Sequence, residues 1–216
     1  MNLWIISHFL VAGLFLSSSA LTPEECQPLV TPLSLADPSM MYGRWNSIVL
    51  YTDNEAYNAM GKVSQSSWMN IIASPSSPNE VVISQEDKMN GTCYASNVNV
   101  TIDGNTLSAS FANVTSVFHL LPSCDGCLLL SVNSTATNFD KVLQKMKFNV
   151  NVTGEEFHAY ALCLMAREST VKDSDMERFK QQASCLSFSR EPDFLYDPKN
   201  GFCAEGEGID LSVLLN

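Results

Sequence analysis

The residues in this 216-residue chain with types suited to covalent or metal chemistry are seven cysteines and three histidines. Cys124-Asp125-Gly126-Cys127 has the spacing of a zinc knuckle or a dithiol redox motif. Zinc needs four donors, and no second such pair and no histidine doublet accompanies this one, so no metal is expected. His119 and His158 each stand alone inside a β-like segment. There is no Gly-x-Ser-x-Gly elbow, no His-Glu-x-x-His and no phosphate-binding loop. The reading is therefore a non-enzyme with no catalytic residues and no cofactor. One thiol qualifies that reading. Phe157, Ala159, Ala161, Cys163 and Met165 alternate onto one face, and a lone thiol on an apolar face keeps its proton unless a cation lies beside it.

The segments around these residues place the chain outside the cell. Leu3 to Leu16 is an apolar run too short to span a bilayer comfortably, and Ser17-Ser18-Ser19-Ala20 supplies the small residues of a cleavage site. Residues 1–20 read as a signal peptide and 21–216 as one domain with its start at Leu21. The segment Ile209 to Leu215 is too short for a lipid-anchor tail, so no membrane anchor is expected. In an oxidising compartment the cysteines read as disulfides with one left over. Five Asn-x-Ser/Thr sequons begin at Asn90, Asn99, Asn113, Asn133 and Asn151, and glycans there require surface positions. The net charge of −11 argues against nucleic acid as a partner and mildly favours cationic ligands.

Short β-branched and aromatic segments recur about every ten residues between Asn/Gly/Ser/Pro clusters, the pattern of an all-β barrel or sandwich. Strands are predicted at 45–51, 64–73, 80–87, 92–102, 106–111, 115–121, 127–132 and 156–167. Ser74 to Asn79, with two prolines, ends the second, and Asp103-Gly104 closes the fourth. Residues 139–150 read either as an extra hairpin arm or as a short helix. Asp173 to Leu186 is predicted as a helix capped by Asp173 or Ser174, with Met176, Phe179 and Ala183 on one face. Asp197 to Gly201 marks a tight turn. If Asn99 points outward, period two sends Tyr94, Ser96, Val98 and Val100 inward, and the phase of Asn113 does the same for Phe118 and Leu120.

Gly43-Arg44-Trp45, two dozen residues into such a domain, and the flanking Cys26 and Cys185 carry a family resemblance. Glu25 to Leu33, Tyr42 to Trp45, Asn54 to Asn58, Asn90 to Tyr94, Ser184 to Leu186 and Phe202-Cys203 extend it over nearly the whole domain. The chain resembles a lipocalin of the alpha-1-acid glycoprotein branch, most of all its fish plasma members, the tributyltin-binding and saxitoxin/tetrodotoxin-binding proteins. The resemblance implies an eight-stranded antiparallel up-and-down barrel over about 42–168 with one helix packed outside. It also implies bridges Cys26–Cys185 and Cys93–Cys203, the second tying the C-terminal tail to the barrel. Trp45, Arg167 and Gly43 fall on structural positions, with Arg167 over the Trp45 ring. The chain departs from the family in lacking its second motif near residues 129–133 and in carrying Cys124, Cys127 and Cys163. Adjacency of the last two strands favours Cys127–Cys163 among these, with Cys124–Cys163 as the alternative.

The same resemblance, tested against alternation, nominates a ligand site. Ile83, Gln85 and Asp87 match an aliphatic and two polar liners, Val100 another, and Met69 and Ile71 stand where the family has aromatics. Tyr57 matches a mouth residue and Met165 a tyrosine of the last strand, while Phe118 follows from phasing. The function so implied is a secreted, monomeric carrier of a small hydrophobic or amphipathic-cationic ligand such as a xenobiotic, toxin or organotin. Two other readings are an immune or acute-phase glycoprotein acting through its surface, and a thiol-dependent isomerase like the one within the family, using Cys163.

Overall fold

The computed structural model describes residues 21–148 and 156–215. The segment read from the sequence as a signal peptide and the sequon at Asn151 lie outside these.

Eight antiparallel strands follow the turn signals of the sequence: β1 (Gly43–Thr52), β2 (Ser64–Ala73), β3 (Glu80–Met89), β4 (Thr92–Asp103), β5 (Thr106–Phe111), β6 (Val114–Leu121), β7 (Cys127–Thr137) and β8 (Glu156–Ala166). Each pairs with its sequence neighbour except across the β1–β8 seam, which closes the sheet into an up-and-down barrel. Closure removes the exposed edges that an open sheet of this length would present. The register slips between Ser47 and Val49 of β1 and between Ser64 and Ser66 of β2, where bulges bend the strands round the barrel. β7 runs five residues beyond its predicted end at 132 because β8 continues to pair with it as far as Thr137↔Glu156.

Three short helices come before or between the strands. α1 (Pro23–Val30) opens with a capping box between Thr22 and Glu25. α2 (Glu55–Val63) is capped by Asn54, whose Oδ1 accepts from the Ala56 N–H at 2.8 Å. α3 (Phe139–Lys145) resolves the ambiguous segment as a helix. The longer α4 (Asp173–Cys185) follows the barrel, and α1 packs on it. After α4 come two-residue strands β9 (Phe194–Leu195), which pairs with β1, and β10 (Ile209–Asp210), which pairs in parallel with β4, then α5 (Leu211–Leu215).

Period two sorts the strand side chains between two cores. Trp45, Ile71, Val81, Val100, Leu107, Leu120 and Leu128 form the inner one, and Ile48, Leu129, Leu162 and Leu164 pack on the outside under α4. That helix buries Phe179 and Ala183, as the sequence periodicity indicated. Its predicted cap is corrected: Lys172 occupies the N-cap without a side-chain hydrogen bond, and Asp173 and Asp175 stand within the first turn. Acidic groups there still favour the helix through its dipole.

Cys26 bonds Cys185 and Cys93 bonds Cys203. The third bridge corrects the sequence reading: Cys124 bonds Cys127, and Cys163 is free, so neither Cys127–Cys163 nor Cys124–Cys163 forms. Strand adjacency was a poor guide because facing decides. Cys127 lies with Leu129 on the helix-covered outside, whereas Cys163 packs against the inner core. In register Cys127 sits opposite Ala166, three residues from Cys163. Asn90, Asn99, Asn113 and Asn133 are all exposed. Among the described residues no helix is long and apolar enough to cross a membrane.

Candidate ligand cavity

The alternating residues of six strands, β2 to β7, enclose a space. On β3 the inward set is Val81, Ile83, Gln85, Asp87 and Met89, on β4 Ser96, Val98 and Val100, and on β6 Val114, Ser116 and Phe118. The resulting cavity has a volume of about 310 Å³, at the lower end for a small-molecule site. Eight of the nine residues nominated from the sequence stand on its wall: Tyr57, Met69, Ile71, Ile83, Gln85, Asp87, Val100 and Phe118. Met165 does not. It is completely buried within the inner core cluster that also contains Trp45, so it belongs to the packing beneath the cavity.

The floor explains the Gly-x-Trp signature. The Trp45 indole N–H donates to the Met41 carbonyl at 2.7 Å. The Arg167 guanidinium lies 3.5 Å above the Trp45 ring centroid and donates to the carbonyls of Arg44 and Tyr42 at 2.9 and 2.6 Å. Gly43 has φ +94°, and a Cβ there would stand 2.9 Å from Arg167 Nη1. A side chain at 43 would therefore be strained and would push the arginine off its ring. Arg167→Ala is expected to lower stability by about 1–2 kcal/mol, the range of one cation–π contact and its hydrogen bonds, without changing cavity affinity. Urea unfolding beside a probe titration checks both; a folded variant that no longer binds would give Arg167 a role in the site.

The polar groups are few and close together. Gln85 Nε2 donates to both carboxylate oxygens of Asp87, at 2.9 Å each. Ser67 sits opposite Asp87 in the β2–β3 register. Burial pushes the Asp87 carboxyl above the ordinary carboxylate range, an effect reinforced by the neighbouring Glu86 charge and opposed by the Ser67 and Gln85 hydrogen bonds. Tyr57 of α2 stacks on Phe139 and Phe157 with ring centroids 5.8 and 5.2 Å away, which fixes it at the mouth. Burial raises its hydroxyl pKa as well.

Cys163 does not have the surroundings of a nucleophile. Burial pushes its thiol up to about 12; Ser47 opposes this by a hydrogen bond, and the Asp87 charge adds to it. None of these influences is a cation, so the thiolate needed for attack is scarce at neutral pH. His158 pairs with Glu156 at 3.7 Å with both side chains largely in solvent, and His119 meets Thr106 Oγ1 at 3.4 Å. Among the described residues Cys93, Cys203 and Glu207 have metal-ligand proximity, but the two sulfurs are bonded to each other.

The helices supply liners that the sequence reading did not nominate: Met60 of α2, Phe139, Val142 and Met146 in and after α3, and Leu211 and Leu215 of α5. For α3 a signal existed. Phe139, Val142, Leu143 and Met146 repeat at i, i+3, i+4 and i+7, the template of an amphipathic helix.

No protein-family model matches the sequence, and no curated protein matches it. Solved structures do match in shape. A siderocalin described as having a dual ligand binding mode aligns with a TM-score of 0.54 at 13% identity, covering 79% of this chain and 96% of its own. The siderocalin Ex-FABP aligns with a TM-score of 0.52 at 14% identity, covering 72% and 93% respectively. An odorant-binding protein aligns with a TM-score of 0.52 at 12% identity over 73% of this chain and 88% of its own. Identities this low speak to architecture alone. The closed eight-stranded barrel, the helix on its outside and the Trp45–Arg167 floor make this the lipocalin fold.

Proposed function

We propose that the chain is a secreted, monomeric glycoprotein carrier that holds one small hydrophobic or amphipathic-cationic ligand inside the barrel, and not an enzyme. The observation that carries this reading is the cavity itself: apolar on nearly every side, with Asp87, hydrogen-bonded to Gln85, as the one charged group among its described liners. Such a lining removes ligand area from water at roughly 25 cal/mol per Å², and one carboxylate in a low-dielectric wall selects for positive charge. Three disulfides in so short a chain suit an oxidising compartment. The similar structures include siderocalins described as having dual ligand specificities and a dual ligand binding mode, and an odorant-binding protein, a class of role in keeping with a carrier. Native mass spectrometry of protein from its own fluid, before and after organic extraction, weighs any carried ligand, the glycans and the oligomeric state together. Protein that carries no extractable mass and takes up no hydrophobic probe would end the carrier reading.

The cation preference has its own test. An amphipathic cation is expected to bind more tightly than a neutral analogue of equal size, at low and at high salt, and the difference is expected to vanish in Asp87→Asn. Attraction by the net charge alone would fade as salt shortens the screening length to about 10 Å at 0.1 M and below. Because burial raises the Asp87 pKa, the preference should disappear on acidification above the pH at which an ordinary aspartate protonates. The stability sign is the reverse of a salt-bridged acid. The folded state binds its proton more tightly than the unfolded one, so stability falls as pH rises through this interval. At neutral pH Asp87→Asn is therefore expected to be the more stable protein. A preference that ignores Asp87→Asn and disappears with salt would assign it to the surface charge.

A further inference from the structure

One wall of the cavity comes from no strand. Leu211 and Leu215 of α5 line it, and together with Leu214 they pack against Met89, Tyr94 and Met146. Five residues cannot sustain a helix in water, because the nucleation cost is not recovered in so short a run. The strap that presents them must be held from its base.

That base is fixed in three ways. Cys93–Cys203 joins it covalently to β4. The backbone N–H groups of Gly206 and Gly208 then donate to the two carboxylate oxygens of Glu86, at 2.7 and 3.0 Å, and Glu86 is only 4% exposed. Finally, Ile209 and Asp210 run parallel to Tyr94 and Ala95. Gly208 makes this approach possible, since a Cβ there would stand 2.5 Å from Ala95 N and Tyr94 C. Asp210 Oδ1 accepts from the Ser212 N–H and hydroxyl at 2.8 and 2.7 Å, which starts α5. The tip is held differently: by the leucine contacts and by an exposed hydrogen bond from Lys145 Nζ to the Leu215 carbonyl at 2.6 Å.

Adjacent acids on β3 thus serve opposite faces. Asp87 points into the cavity, and Glu86, one residue earlier, points out to the strap, as period two requires. A segment anchored at the base by a disulfide and buried charge-assisted bonds, and at the tip by apolar contact and one exposed hydrogen bond, opens from the tip first.

We propose that residues 204–215 form a gate on the barrel mouth, with Leu211 and Leu215 setting the length of ligand that fits and Glu86 and Gly208 acting as positioning residues that hold it. The length-setting role rests on the carrier reading above; the gate itself does not. Two variants probe it: a stop after Ala204, which retains the Cys203 bridge, and Gly208→Val, which lifts the strap from β4. Glu86→Gln, similar in size, serves as a milder third.

Straight-chain alkyltrimethylammonium ions are titrated into each folded protein. Affinity should rise about fourfold per methylene while the chain still fits, then level off once the cavity is full. In the stop and Gly208→Val proteins the levelling point should move to longer chains, and dissociation should quicken about tenfold or more. The free Cys163 is not on the cavity wall but stands behind it, opposite the liner Leu130 in register and packed on the inner core. Labelling of this thiol by a reagent entering through the mouth therefore gives a readout that needs no ligand. Its reaction with a small neutral disulfide reagent, slow in the intact protein, should accelerate about tenfold or more in these two variants and less in Glu86→Gln. An unmoved levelling point overturns the length-setting role. An unchanged labelling rate in every folded variant overturns the gate. If no ion of the series binds even the unaltered protein while labelling still accelerates, the carrier reading fails and the gate stands.

Discussion

Phe118→Asp is expected to weaken binding of an apolar fluorescent probe about 100-fold or more while the barrel remains folded. Phe118 lies on the cavity wall, opposite Leu107 of β5 and Val132 of β7 in register. Two losses add at this position. The aromatic side chain stops contributing apolar area, which alone costs about 1.5–3 kcal/mol when a side chain of this size is removed from a fully formed contact. The carboxylate that replaces it is poorly solvated and sits where an apolar guest must lie. Water drawn in around it would have to be displaced on binding. The fold should survive, because Phe118 is only partly buried at the edge of the inner core, whereas Leu120 is fully buried within it. Probe titration beside far-UV circular dichroism separates binding from folding. Unchanged affinity in a folded variant would remove Phe118, and with it the phasing of β6, from the site.

Removing the Cys26–Cys185 bridge by Cys26→Ser with Cys185→Ser is expected to lower stability by up to about 5 kcal/mol in the chain-entropy model. The bonded residues are 159 apart in sequence, so the unfolded chain gains a very large loop when the bond is absent. Removing Cys124–Cys127, with a separation of 3, should cost only about 2 kcal/mol on the same model. The ordering is the prediction. Apart from this bond α1 is held by little: it buries no residue of its own, and Gln182 Nε2 donates to the Leu29 carbonyl at 2.8 Å. Urea unfolding of the two double variants gives both figures directly. Equal losses would mean that the unfolded state is compact enough to cancel the difference in loop length.

The strands and their facing were legible in the sequence because each depends on local order. β2 and β5 have the bounds that the turn residues marked, since Pro, Asn-Gly and Asp-Gly clusters end a ladder wherever they fall. The inward set Ser96, Val98 and Val100 followed from one assumed outward residue, Asn99, because a strand has only two faces. α2 was missed although Asn54 is a good cap, because its apolar positions are few and a nine-residue helix rests on packing more than on its own periodicity.

What the sequence could not fix were the distances between segments far apart in the chain. Which cysteines meet depends on facing as well as adjacency, and only the closed barrel shows Cys127 outside and Cys163 inside. Met165 has the same inward phase as the liners, yet it lies buried in the packed floor while Phe118 lies on the open wall; depth along a barrel has no periodic signature. The strap is the clearest case. Its leucines lie more than a hundred residues from the strands they cover, and Glu86 looks like any outward acid of β3. A carboxylate between two glycine amides and a short helix over an apolar mouth come about through the tertiary fold.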